Sequence, residues 1–302
     1  MRDANNSNNA LRNFYDELVI RYDADTRAMW CSADPKPRPC FTPGLIRDLN
    51  GFLNVLRHRL AEEARNGGPL SVDFLVLQSY QPGVFSLGGD LRLFVDLIRA
   101  GDTEALRSYV HDSIRVLHSV MSNVHAPITS VALVQGNALG AGFEGALACD
   151  TIIAEETAQL GFPEVLFNMF PGMGAYSFLA RRIAPAQVEK MILSGRLYSA
   201  GELHELGVID VVVPPGELGA AFDTFRKRFQ KSRNTYQSLL RVRDRVHPVS
   251  FEELIEIGDI WVDAAFRLSE RELRTMERLI KSQDRQRGET AGQRREAARG
   301  SE

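Results

Sequence analysis

The chain has 302 residues, a formal net charge of −3, 44% hydrophobic residues and 25% charged residues. That length suits one large domain or a domain with an appendage, and the near-neutral balance leaves no electrostatic footprint for nucleic acid or for an anionic membrane surface. Cys31, Cys40 and Cys149 are odd in number and form no C-x-x-C pair, so reduced thiols in a cytoplasmic protein are expected.

In chain order, residues 1–13 are polar, with Asn5, Asn6, Asn8 and Asn9, and read as a flexible start rather than a signal peptide. Leu18–Tyr22 and Ala28–Ser32, separated by Asp23-Ala24-Asp25-Thr26, read as a β-hairpin. Thr42 with Pro43 opens a helix whose apolar face is Leu45, Ile46, Leu49, Phe52, Leu53, Leu56 and Leu60. Val72–Leu77 is a buried strand, closed by a Gln81-Pro82-Gly83 turn. A second long helix spans Thr103–Met121. Ile128–Ala154 is the most apolar stretch. Gln135, Asn137, Glu144 and Asp150 interrupt it, which argues against a membrane span and for strand, turn, short helix and strand. Ser199 and Glu202 form a capping box with Gly207 as the stop, and Val208–Val213 is the last strand.

Strands and helices alternating over roughly residues 70–215 argue for an α/β layered fold. Residues 14–215 are read as its core and 216–288 as a helical segment with a capping box at Ser250 and Glu253. Residues 289–302 are read as a mobile tail. The six histidines lack metal-ligand spacing, so no metal is expected. The basic helix residues Arg57, His58, Arg59 and Arg65 are either a solvated face or a patch for an acidic carrier protein.

Gly140-Ala141-Gly142-Phe143-Glu144-Gly145 matches the G-x-G-x-x-G pattern of dinucleotide sites. A carboxylate lies where a pyrophosphate would sit, however, and Cys149-Asp150 ends the helix too soon for a βαβ crossover. The same residues fit another chemistry. Glycine and alanine allow close approach to backbone N–H groups, and the first N–H groups of a helix are free to stabilise negative charge on a carbonyl oxygen. In Phe85-Ser86-Leu87-Gly88-Gly89-Asp90 two more glycines follow a strand and precede an apolar helix; alone they read equally as a tight turn. Glu144 alone reads as a helix-dipole partner, and Glu164, after Pro163, as a surface cap.

Together these segments resemble the signatures of the crotonase (enoyl-CoA hydratase/isomerase) superfamily. Phe85–Leu91 is similar to its F-S-x-G-x-D-L element, Gly136–Ala154 to its N-G-x-A-x-G-G-G-x-E-L and C-D-x-x-x-A run, and Leu160–Glu164 to its F-G-x-P-E. Phe14–Glu17, Asp73–Ser79, Ala132–Gly136, Leu166–Leu179 and Gly195–Ala200 further resemble the bacterial diffusible signal factor synthases. The resemblance implies an α/β spiral of ββα units with a C-terminal helical segment, often assembled as trimers or pairs of trimers. It implies an acyl thioester on acyl carrier protein or CoA as substrate and no cofactor. Oxyanion N–H groups are expected at Gly89 and Ala141, the latter where the family usually has glycine, beside Gly88 and Gly140. Glu144 and Glu164 match both catalytic glutamates of the hydratase branch. Phe162, Leu166, Phe167, Met169, Phe170 and Met173 are candidates to line an acyl tunnel, with a plain core role as the alternative.

Loss of water from a 3-hydroxyacyl thioester needs one carboxylate ionised and another acid protonated, and two carboxylates sharing an apolar pocket separate their proton affinities. Three functions remain open on these residues. They are dehydration followed by thioester hydrolysis to a free cis-2-unsaturated signal acid, ordinary enoyl-CoA hydration, and a non-catalytic module that docks a sensor protein.

Overall fold

In the computed structural model, residues 15–281 and 284 are described; residues 1–14, including the expected flexible start, and the expected tail at 289–302 lie outside them. The hairpin is present as β1 (Leu18–Asp23) and β2 (Ala28–Ala33), antiparallel, with Leu18 opposite Ala33 and Asp23 opposite Ala28. Asp23 Oδ1 accepts from the N–H groups of Asp25 and Thr26 and so closes the turn. Helix α1 (Pro43–Arg65) begins where Thr42 Oγ1 accepts from Leu45 N at 3.0 Å, and the seven expected apolar residues are buried.

From there the chain winds as a spiral. Each turn lays one strand in a large sheet, one in a small sheet, and then helix. The first turn is β3 (Phe74–Ser79), β4 (Val84–Ser86), α2 (Leu91–Ala100) and α3 (Thr103–Met121). The second is β5 (Thr129–Val134), β6 (Asn137–Leu139) and α4 (Ala141–Leu147). The third is β7 (Thr151–Glu155) and β8 (Gln159–Gly161), then a 3-10 turn (Pro163–Phe167), α5 (Ala175–Leu179) and α6 (Pro185–Ser194). The return is β9 (Leu197–Ser199), α7 (Ala200–Glu205) and β10 (Val211–Val213). The large sheet has the order β1-β2-β3-β5-β7-β10, parallel except for β1, and the small one β4-β6-β8-β9, parallel except for β9. The spiral of ββα units is therefore present. The small sheet escaped periodicity because its strands have three residues each, too short to show a period of two.

The central strands read as continuous apolar runs because both faces of the sheet are covered. Leu75, Ala132, Val134 and Ile152 face the main core with α1 and α3, while Phe74, Val76, Val131, Leu133 and Ile153 face Phe222 and Phe229 of α8 (Leu218–Lys231). Helix α9 (Arg233–Val246) buries none of its residues. Ion pairs from Arg233 to Asp73 and from Arg243 to Asp150 hold it, at the starts of β3 and β7. Helix α10 (Phe251–Ala265) packs on α3 with Trp261 buried, and a last helix spans 270–281.

The Ser199–Glu202 capping box has both arms, and Gly207 follows with φ +80°. The box expected at Ser250 is half formed. Ser250 Oγ accepts from Glu253 N, but the Glu253 carboxylate turns to Ser177 and Arg181 instead, because a buried neighbour on α5 offers it a better partner than its own N-cap. Among the described residues no helix is long and apolar enough to cross a membrane.

Candidate active site

Two tight turns meet at the seam between the sheets. At the end of β4, Gly88 adopts φ +98°, and a Cβ there would stand 2.8 Å from the Leu139 carbonyl oxygen. Only glycine permits that conformation and that approach without strain. The turn is tied down on its other side. Phe41 N donates to Gly88 O at 2.8 Å, Phe41 forms a parallel bridge with Gly89, and the Tyr109 hydroxyl donates to Phe41 O at 2.6 Å. At the end of β6, Gly140 takes φ +49° and delivers the chain into α4 with Ala141 as its first residue. An added Cβ on Gly88 would lie 3.6 Å from Ala141 N, so the two turns face one another. Among the described residues neither the Gly89 nor the Ala141 N–H has an acceptor, which leaves both free for an oxyanion.

Glu144 lies one turn into α4 and is 1% exposed. Its Oε1 accepts from Met173 N at 2.8 Å and Ala175 N at 2.9 Å, donors on the loop that leads into α5. Burial pushes its carboxyl up to about 7, against the opposing pull of those backbone donors. Glu164 sits in the 3-10 turn after β8, and its Oε1 packs on Gly140 so closely that a Cβ there would collide with it. Its Oε2 is enclosed and has no hydrogen-bond partner among the described residues. Desolvation, and then the charge of nearby Glu144, push Glu164 up to about 8. The two acids therefore act on one another electrostatically, and their environments order them. Glu144, with amide donors, ionises first; Glu164, with none from its neighbours, keeps its proton longer.

Of the residues expected to line an acyl tunnel, Phe162, Phe167, Met169 and Met173 are packed in the core, and Phe162 stacks on Phe143 with centroids 5.0 Å apart. Phe170 is partly buried, whereas Leu166 is open to solvent at 57% exposure. Sequence reasoning missed several supports. Phe41 carries no motif, and Tyr109 lies on the second long helix with nothing in its spacing to announce its bond to Phe41. Met173 was read as lining, yet its backbone holds Glu144. Gly172 was given no role, although the Trp261 indole lies so close that an added Cβ would clash with it. Among the described residues, no group of three or more His, Cys, Asp or Glu is placed to hold a metal ion.

A family model described as enoyl-CoA hydratase/isomerase matches residues 35–254. The chain is 32% identical over 168 residues to a peroxisomal fatty acid beta-oxidation multifunctional protein of Arabidopsis thaliana, covering 56% of this chain and 23% of that one. It is 33% identical over 181 residues to the enoyl-CoA isomerase/hydratase fer4 of Mycosarcoma maydis, covering 60% and 62%. The chain thus spans less than a quarter of the multifunctional relative's length. The crystal structure of enoyl-CoA hydratase from Bacillus halodurans shares the fold, with a TM-score of 0.72, 22% identity and coverage of 86% of this chain and 98% of that one.

Proposed function

The chain belongs to the enoyl-CoA hydratase/isomerase family, and on that premise we propose that it adds or removes water across C2–C3 of a fatty acyl thioester. The observation that carries this reading is buried Glu144 and part-buried Glu164, both carboxyls raised by desolvation, beside two N–H groups without an acceptor among the described residues.

The chemistry follows from the geometry. The thioester oxygen, hydrogen-bonded to Gly89 N and Ala141 N, can take up negative charge as an enolate; one such donor is typically worth about 10²–10³ in rate. In the hydration direction, Glu144 uses Oε2, the oxygen not engaged by Met173 and Ala175, to take a proton from water attacking C3. Glu164, still protonated near neutrality, gives its proton to C2. Dehydration of a 3-hydroxyacyl thioester runs the same steps backwards, with each acid in the opposite starting state.

The finer reading is synthesis of a cis-2-unsaturated signal acid from a 3-hydroxyacyl group on acyl carrier protein. In a second step the same N–H pair would hold the tetrahedral intermediate of thioester hydrolysis. What supports it is the likeness of Leu166–Leu179 and Gly195–Ala200 to the diffusible signal factor synthases. The test is to incubate the purified protein separately with trans-2-enoyl-CoA and with 3-hydroxyacyl carrier protein and to weigh the products. Hydrated CoA ester supports the core reading, and free cis-2-enoic acid adds the finer one. No conversion of either substrate overturns both.

A further inference from the structure

We propose that Tyr109 is a positioning residue for the oxyanion pair: its hydroxyl joins Phe41 O to Asp90 N and so aims the Gly89 N–H at the thioester oxygen. The proposal rests on the acyl-thioester reading and adds to it what sets the direction of one of the two donors.

A trans peptide is planar, and its C=O and N–H point in opposite directions. Gly88 O accepts from Phe41 N at 2.8 Å, so the Gly89 N–H of the same peptide points away from Phe41. Its direction therefore depends on how firmly the segment 39–41 is held along 87–90. On one side of that peptide, Leu87 N donates to Pro39 O at 2.7 Å. On the other side the tie is Tyr109. Its hydroxyl accepts from Asp90 N at 3.3 Å and donates to Phe41 O at 2.6 Å, and a phenol can do both at once. Helix α3 brings the hydroxyl to these two groups from 19 and 68 residues away in the sequence.

The ring is fixed as well as the hydroxyl. Tyr109 is buried and stands edge-on to Phe94 with centroids 5.1 Å apart. Phe94 in turn backs the turn so closely that a Cβ on Gly89 would stand 2.6 Å from its Cζ. Burial raises the phenol well above its usual range, so it stays protonated and able to donate wherever the two glutamates titrate. A buried tyrosine that serves packing alone needs one partner for its hydroxyl. This one bonds to both backbone segments that flank the Gly88–Gly89 peptide. Without the hydroxyl, Phe41 O and Asp90 N lose a shared partner in a buried place, and that peptide is free to turn.

The experiment follows the carbonyl itself. Butyryl-CoA has neither the double bond nor the hydroxyl that would react. With an isotope label at its thioester carbonyl, infrared difference spectra of the full chain give the C=O stretch of the bound ester, which falls as hydrogen bonds to the oxygen strengthen. The wild type is expected to lower the stretch below that of butyryl-CoA in water. Tyr109→Phe keeps the ring and should lose about half of that lowering, one donor of two. Its kcat on trans-2-enoyl-CoA should fall about 10- to 100-fold while KM holds, because the donor acts mainly on the transition state. Tyr22→Phe removes another phenol-to-backbone bond, to Ser71 O at 2.8 Å, and as the control for a purely structural loss it should keep both the stretch and kcat. Thermal melts verify folding. If Tyr109→Phe does not fold, Phe94→Leu unseats the Tyr109 ring while keeping its hydroxyl, and the same outcomes decide. An unchanged stretch in the folded variant overturns the role of Tyr109, whatever kcat does, and leaves the oxyanion pair in place. No lowering of the stretch in the wild type removes the oxyanion pair and the role of Tyr109 together.

Discussion

At the scale of single residues, the proposed reaction depends on one carboxyl that releases its proton before the other. With Glu144 near 7 and Glu164 near 8, hydration requires the first ionised and the second protonated. kcat/KM should therefore rise through about pH 7, fall above about pH 8 and give a narrow bell, read by rate measurements from pH 5.5 to 9.5. Glu144→Gln or Glu164→Gln should each lower kcat by about 10²–10⁴. The stability consequence has a definite sign. The folded protein holds the Glu164 proton up to about 8, whereas a glutamate in the unfolded chain releases it near its ordinary 4.5. Between those values the native state binds the extra proton, so stability falls as pH rises, and the loss is complete above the folded value. Glu164→Gln should melt with the wild type at pH 4 and above it at pH 8.5; coincident melts at both would remove the premise that this acid is desolvated. Gly140→Ala provides a geometric check. Its Cβ would collide with Glu164 Oε1 at a backbone with φ +49°, so kcat should drop about 10²-fold with a modest change in KM.

At the scale of elements, α4 and the loop into α5 form one device. The loop reaches back to Glu144 from 29 and 31 residues downstream, and nothing in the spacing of the sequence announces that contact. The glycines at positive φ were legible because the requirement is local: Gly88 and Gly140 lie where a chain must turn sharply between a strand and a helix. Asp150, just beyond α4, shows how a short element is locked. Its side chain is 2% exposed and accepts from Asn123 Nδ2, Ser130 N, Ser130 Oγ and Arg243. Asp150→Ala strands a buried amide donor and an arginine together and should cost about 3 kcal/mol in urea unfolding. Arg243→Ala leaves three donors on the carboxylate and should cost nearer 1 kcal/mol.

At the scale of the whole molecule, the C-terminal helices brace the spiral. Gly258 lets α10 lie against α3, since a Cβ there would stand 2.6 Å from Ile114 Cδ1 and 2.9 Å from Val110 Cγ1. That approach seats Trp261 against Gly172, whose neighbour Met173 donates to Glu144, and edge-on to Phe94 at 5.1 Å. Gly258→Val should therefore lower stability by about 2 kcal/mol through overpacking. It should also reduce kcat by roughly tenfold, because the Trp261 seat moves with α10. A thermal melt and a rate assay on one preparation check both, and a stability loss with unchanged kcat would separate α10 from the site. Arg99 adds exposed bridges from α2 to Glu270 at 3.0 Å and Glu277 at 2.8 Å, which count for little individually.

The sequence by itself determined the hairpin, the capped helices, the α/β alternation and the two glycine turns, and it singled out the two acids proposed for the reaction. Each follows from φ/ψ preference, periodicity or motif, properties carried by residues close together in the chain. The tertiary structure decided which acid is held by backbone amides, which is left without a partner, and how strands of three residues assemble a second sheet. Desolvation and cross-chain hydrogen bonds depend on groups brought together from far apart in the sequence, and no local pattern encodes them.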